Sequence, residues 1–254
     1  MSYVELFDYH ISNNGARGDI FEAFELIISG EFGDYMACAN PHSLTVAAKD
    51  NIFQQALKRA DILLPDGTGI IIAAKILGLP CTEKVAGTDF FLGLSREANN
   101  RGGVKYFFLG SSKKVLRLIK EKMKRNFPAI EVCGTYSPPF KTEFSQEDNS
   151  AMISAINNTR PDVLWVGMTA PKQEKWIYEN QSKLQVPFIA AIGAVFDFYA
   201  GTKKRSSNFW INVGLEWLPR FFKEPRRLWE RNLKSTPIFL WWIIKEKIRK
   251  IRGN

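Results

Sequence analysis

Residues 60–69 read ADILLPDGTG, and this stretch decides the fold. Ile62-Leu63-Leu64 is a short apolar run of the kind that makes a buried strand. Pro65-Asp66-Gly67-Thr68-Gly69 breaks that run and leads into an apolar, Ala-rich segment at 70–77. The order is strand, tight turn, helix. In open α/β sheets the corner beyond the carboxyl end of a strand is where ligands bind. An aspartate at that corner is placed for acid–base work. Asp between Pro and Gly also serves turns, by accepting from nearby backbone N–H groups. Spacing alone leaves Asp66 with both readings.

Working outward, further apolar runs occur at 35–39, 104–109, 131–136, 163–168 and 188–192. Helical patterns alternate with them at 18–29, 44–59, 90–99, 113–126, 145–157 and 173–181. The runs are continuous rather than alternating, as strands buried on both faces are. The expected fold is α/β, a single Rossmann-like domain with a mostly parallel sheet of about six strands. The 254 residues suffice for one such domain and an appendage, and a 45% hydrophobic content supports a sizeable core. The fingerprints GxGxxG and GxxxxGK[ST] are absent, which argues against standard dinucleotide and P-loop sites.

The charge is divided unevenly. Residues 1–200 hold 21 Lys and Arg against 22 Asp and Glu, whereas residues 201–254 hold 14 against 4. The tail thus carries the whole basic excess and five of the seven tryptophans. This split is expected to divide the chain into an α/β domain at 1–200 and a helical, basic, aromatic-rich appendage at 201–254. In its last helix, Ile238, Trp241, Ile244, Ile248 and Ile251 recur at helical spacing, among Lys245, Lys247, Arg249 and Lys250. That composition suits a membrane interface. A helix packed on the core with a solvated basic face has the same pattern. No apolar run reaches the ~18–20 residues that span a bilayer, and no signal peptide is expected at the start. Cys38, Cys81 and Cys133 are widely spaced, and with only His10 and His42 beside them no structural zinc is expected. A cytoplasmic setting follows.

If strand ends carry the chemistry, the candidates are Asn40, Asp66, Gly110-Ser111-Ser112 and residues 169–173. Gly110-Ser111-Ser112 precedes a helix and can turn backbone N–H groups toward a phosphate. No Asp-x-Asp pair stands at a strand end, so no metal site of that type is expected. The charge of a bound diphosphate then falls to arginines of the tail, such as Arg220, Arg226, Arg227 and Arg231.

Taken in order, four stretches resemble the WecG/TagA/CpsF family of bacterial glycosyltransferases. They are Cys38-Ala39-Asn40-Pro41; Pro65-Asp66-Gly67-Thr68-Gly69 with Val85-Ala86-Gly87-Thr88-Asp89; Ala170-Pro171-Lys172-Gln173-Glu174-Lys175-Trp176; and 193–201 continuing to Gly214-Leu215-Glu216-Trp217-Leu218-Pro219-Arg220 and Glu224-Pro225-Arg226-Arg227. The resemblance runs from about residue 35 to 231. It implies an inverting, metal-independent transferase without a cofactor. Such an enzyme moves a sugar (N-acetylmannosamine, glucose, glucuronic acid or similar) from a UDP-sugar to a polyprenyl-diphosphate-linked acceptor, in cell-envelope polysaccharide assembly. It would be peripheral on the inner face of the cell membrane, held there by the appendage. By position, Asp66 is the general base. Cys38, Asn40, Thr68, Gly110 and Gln173 line the donor site, and Arg220, Arg227 and Arg231 hold the diphosphate. Where the family has Thr two residues before the Asn, this chain has Cys38. Glu230, with Arg231 one place on, stands at a position that is often basic.

The resemblance leaves a homo-oligomer open and implies no nucleic-acid partner. Removing residues 201–254 is expected to abolish transfer and leave a folded core. The rival readings are a nucleic-acid-binding protein using the basic aromatic tail and a non-catalytic membrane adaptor.

Overall fold

The computed structural model describes residues 2–203 and 234–252. Six strands form one sheet: β3 (Asp34–Ala39), β4 (Ile62–Pro65), β5 (Lys105–Gly110), β6 (Glu131–Tyr136), β7 (Val163–Gly167) and β8 (Phe188–Ala191). Their order is β4-β3-β8-β7-β5-β6, and every neighbouring pair is parallel. All six carboxyl ends therefore lie on one rim. The expected α/β class and strand positions hold.

Side chains alternate between the two faces, and both faces are buried. Trp165, Phe108 and Met36 enter one layer with Phe90, Phe91 and Leu94 of α5 (Gly87–Arg101). Also in that layer are α1 (Gly15–Ser29), α6 (Lys113–Asn126) and α9 (Val195–Ala200). Trp165 is its centre, with Phe91 edge-on at 4.9 Å and Tyr106 at 5.5 Å. On the opposite face, Tyr35, Leu109, Leu164 and Val166 meet α7 (Gln146–Asn157) and α8 (Lys172–Asn180). Ala37, Ala39 and Leu63 meet α2 (Pro41–Ala47), α3 (Asn51–Lys58) and α4 (Thr68–Leu77).

Three features depart from expectation. The helix expected over 44–59 is two helices, α2 and α3. Asp50 divides them, its carboxylate accepting from the Phe53 N–H at 3.0 Å as the cap of α3. An antiparallel hairpin, β1 (Tyr3–Leu6) and β2 (Tyr9–Ser12), precedes the sheet. Val4, Leu6, Tyr9 and Ile11 of this hairpin are buried against the α2–α4 layer.

The C-terminal helix α10 (Ser235–Arg252) docks on that same layer, but not by the stripe read from the sequence. Phe239 and Ile243 are its buried apolar residues, with Trp242 beside them, and both aromatics meet Phe7 edge-on. Trp241, Ile244, Ile248 and Ile251 fall on the opposite side at 3.6 residues per turn, and they are 43–67% exposed. Among the described residues no helix is long and apolar enough to cross a membrane.

Candidate active site

The rim of the sheet gathers the turns that follow β3, β4, β5, β7 and β8. Asp66 stands at the first turn position after β4. Its backbone N–H donates to the Ala39 carbonyl at the end of β3, at 2.9 Å. Asp66 is thereby placed beside Asn40. The glycines around it have separate reasons. Gly67 has φ +115°, a conformation that L side chains rarely adopt. A Cβ on Gly69 would lie 2.4 Å from Pro41 Cγ, so only glycine lets α4 start this close to α2. Thr68 is half-buried on the first turn of α4.

Asn40 begins α2 as its cap. Its Oδ1 accepts from the Ser43 N–H at 3.0 Å, while its own N–H donates to Ser43 Oγ at 2.8 Å. The carbonyl end of the amide is therefore engaged in the fold. Cys38, at the end of β3, faces Gly87, where an added Cβ would sit 3.5 Å from the sulfur. Burial pushes its thiol well up, and the charges of Asp66 and Glu174 add to the effect. Cys38 is thus a neutral thiol within electrostatic reach of two carboxyl groups.

Three strands along the rim from β3, Gly110 ends β5 with φ +121°. A Cβ there would come within 2.4 Å of the Gly167 carbonyl oxygen. Ser111 N–H donates to that same oxygen at 3.1 Å, and the Ser137 hydroxyl to the Ser111 carbonyl at 2.8 Å. Ser112 caps α6 by accepting from the Val115 N–H. Beyond this turn a cleft of about 550 Å³ is lined by Lys113, Arg117, Lys120, Thr135, Tyr136 and Ser137, with Leu116 among them. It lies at the β5–β6 edge and not over Asp66.

Gln173 sits on the first turn of α8, 4% exposed. Its Oε1 accepts from the Met168 N–H at 3.2 Å and its Nε2 donates to Glu174 Oε1 at 2.9 Å. Glu174, 3% exposed, was not among the residues singled out from the sequence. Among the described residues its Oε2 has no hydrogen-bond partner. Burial pushes its carboxyl up to about 7, and the Gln173 bond offsets only part of that rise. Within the string KQEK it reads as one more solvated charge, and only the burial of its helix face distinguishes it.

The structure thus brings Cys38, Asn40, Asp66, Thr68, Gly110 and Gln173 to one rim. Asp66 and Gly110 follow strands four places apart in the sheet, a separation of about 19 Å at ~4.8 Å per strand. One small group cannot touch both, whereas an elongated ligand lying across the strand ends can. Arg220, Arg227 and Arg231 lie outside the described residues. Among the described residues no three His, Cys, Asp or Glu side chains are grouped to hold a metal ion.

A six-stranded, all-parallel sheet with helices on both faces and glycine turns along its carboxyl rim defines a Rossmann-like α/β protein, a class in which ligands bind at that rim. The chain belongs to the glycosyl transferase WecG/TagA/CpsF family, whose model matches residues 4–253. It is 31% identical over 215 residues to the N-acetylglucosaminyldiphosphoundecaprenol N-acetyl-beta-D-mannosaminyltransferase of Bacillus spizizenii, covering 85% of this chain and 80% of that protein. Proteins of the same name from Bacillus subtilis and Staphylococcus aureus are 27% and 25% identical, over 88% and 86% of this chain and 84% and 82% of theirs.

Proposed function

We propose that the protein transfers a sugar from a UDP-sugar to a polyprenyl-diphosphate-linked sugar, with inversion and without a metal. The observation that carries this reading is the position of Asp66. It stands on a glycine turn at the carboxyl rim, bonded through its backbone to β3, in a chain that belongs to this glycosyltransferase family. In the proposed step the acceptor hydroxyl oxygen attacks the anomeric carbon and gives its proton to the Asp66 carboxylate. The bond from that carbon to the UDP oxygen breaks on the opposite side, and UDP leaves with the electron pair. One displacement inverts the configuration.

The donor lies along the rim, its nucleotide toward the Gly110 turn and its sugar toward Asp66, Asn40, Thr68 and Cys38, with Gln173 between. Arg220, Arg227 and Arg231 stabilise the charge that develops on the leaving diphosphate. Their role rests on the resemblance of the tail and on the absence of an Asp-x-Asp pair from the sequence. The names of the relatives favour N-acetylmannosamine as the sugar and an N-acetylglucosaminyl diphospholipid as the acceptor.

The acceptor is a lipid, and the outer face of α10 supports work at a membrane surface. Trp241, Ile244, Ile248 and Ile251 form an exposed apolar stripe between Lys245, Lys247 and Arg252. Exposed Ile72 and Ile76 stand on α4, the helix against which α10 packs.

The test is UDP release by the purified protein in EDTA, with a panel of UDP-sugars and a lipid-diphosphate N-acetylglucosamine acceptor in detergent. Release with one donor, lost in Asp66→Ala, is the expected result. Absence of both release and UDP-sugar binding across the panel would overturn the reading.

A further inference from the structure

Helix α6 reads KKVLRLIKEKMKRN, with seven Lys and Arg against one acid, Glu121. The rest of residues 1–200 hold 14 against 21. The basic charge of this part of the chain is therefore concentrated on one helix. Val115, Leu116, Ile119 and Met123 turn into the core and leave the charges outside. Lys113, Arg117 and Lys120 stand at i, i+4 and i+7, which puts them on one face. With Thr135, Tyr136 and Ser137 they wall the cleft of about 550 Å³, the volume of a small-molecule site. Glu121 approaches Arg117 only to 3.8 Å with both side chains well exposed, so it neutralises little of this charge.

We propose that this cleft binds a soluble oligophosphate, a chain of two or three phosphoryl groups, at an anion site separate from that of the donor. Three cations spread over about 10 Å of helix, at ~1.5 Å per residue, suit a row of charges better than a single one. Arg117 offers a planar fork to phosphoryl oxygens, and the two lysines offer point charges on flexible stems. The hydroxyl side chains of the opposite wall add neutral hydrogen-bond partners.

Two placements say what the occupant is not. Phosphates that take part in transfer must lie beside the anomeric carbon at Asp66, and the cleft lies beyond the Gly110 turn, about 19 Å along the rim at ~4.8 Å per strand. On this point the inference rests on the reading of Asp66. A bilayer is excluded by the sheet itself. Helix α6 packs on the face that holds Met36 and Phe108, and α10 on the face that holds Ala37 and Ala39. They also lie at opposite ends of the sheet, α6 against β6 and α10 against the helices beside β4. A flat membrane that meets the outer stripe of α10 leaves α6 turned toward water.

The experiment is calorimetric titration of inorganic tripolyphosphate into the full-length protein in metal-free buffer, with and without saturating UDP-N-acetylmannosamine. The triple variant Lys113→Ala, Arg117→Ala, Lys120→Ala is compared with Lys114→Ala, Lys124→Ala, Arg125→Ala. The second set removes the same charge from the same helix outside the cleft. Alanine suits an exposed helix, and melting temperatures check that both fold. The cleft variant should bind at least about tenfold more weakly, and the other within about threefold of wild type. The UDP-sugar should leave tripolyphosphate affinity unchanged, and the cleft variant should partition onto phosphatidylglycerol vesicles as wild type does.

No binding, or equal losses in the two variants, would overturn the site and leave a diffuse basic surface. Displacement by the UDP-sugar would assign the cleft to the donor instead. A parallel loss of vesicle binding would assign it to lipid, and an oligonucleotide that binds more tightly than tripolyphosphate and is lost in the cleft variant would assign it to nucleic acid. If the UDP-sugar itself does not bind, the donor reading is at fault, and the two triple variants still decide the cleft.

Discussion

Ser235 Oγ and His42 Nδ1 lie 2.8 Å apart across 193 positions of sequence. His42 stands two places after Asn40, so the C-terminal helix is fastened beside the turn that neighbours Asp66. One turn of helix further on, Phe239 and Ile243 enter the layer formed by Leu44, Ile70 and the N-terminal hairpin. Lys250 Nζ donates to the Leu77 carbonyl at 3.4 Å near the far end.

This docking predicts that the tail contributes to stability. Phe239→Ala should cost about 3–5 kcal/mol, as other buried aromatic truncations do. For a chain of this size that lowers the melting temperature by roughly 10 °C. His42→Ala removes the hydrogen bond to Ser235 and should cost at least about 1 kcal/mol. A core cut at residue 200 lacks Phe239 and Ile243, so it should be less stable than the full chain even where it folds. Circular dichroism melts check all three, and a Phe239→Ala protein melting with the wild type would mean that α10 does not dock as described.

Asp66→Asn keeps the size and turn-forming ability of the residue and removes its basicity. Turnover should fall by about 10²–10⁴, the usual contribution of a general base. Donor affinity and melting temperature should change little. A kcat within threefold of wild type would reassign Asp66 to the turn alone.

The exposed stripe of α10 predicts membrane binding that can be separated from folding. Trp241 and Ile248 touch solvent rather than core, so the double change Trp241→Ser with Ile248→Ser should leave the melting temperature within a degree or two. Binding to vesicles containing anionic lipid should weaken at least tenfold, since burial of a large apolar side chain is worth about 1.5–3 kcal/mol. The basic flank adds about 1 kcal/mol per Lys or Arg near an anionic surface, and added salt should screen that part alone. Vesicle sedimentation of the two proteins decides it, and equal partitioning would remove α10 from the membrane-facing surface.

The sheet was legible because a parallel strand covered on both faces needs no alternation. Runs such as Val163-Leu164-Trp165-Val166 have one economical reading. The rim followed from it, since Asp66, Gly110 and Gln173 each come at or just after a strand end. The hairpin was missed because its strands are four residues each, and two or three alternations are a weak signal. The break at Asp50 was missed because Phe53, Ala56 and Leu57 keep a helical pattern beyond it, and only the capping carboxylate marks the boundary. On α10 the apolar residues lie on both sides, so periodicity picked the longer stripe when the buried one begins with Phe239. Glu174 was hidden for a different reason. Its neighbours Lys172 and Lys175 suggest an exposed face, and a buried acid has no signature in a single sequence.

That buried acid also makes stability depend on pH in an unusual direction. The carboxyl of Glu174 is pushed from 4.5 to about 7 and that of Asp19 from 3.8 to about 6, both chiefly by burial. Between the unfolded and folded values the native chain holds protons that the unfolded chain has released. Stability must therefore fall as pH rises through that window and level off above it. For Glu174, 3% exposed, the shift corresponds to about 3 kcal/mol. Asp19 adds a similar trend one unit lower, although the Ser12 hydroxyl bonded to it offsets part of the burial. The protein should melt higher at pH 5 than at pH 8. Glu174→Gln carries no proton to lose, so its stability relative to wild type should rise by about 3 kcal/mol over the same interval. Melting temperatures of the two proteins at half-unit steps from pH 5 to pH 8 test this. Parallel curves would show that Glu174 ionises in the folded state as freely as in water.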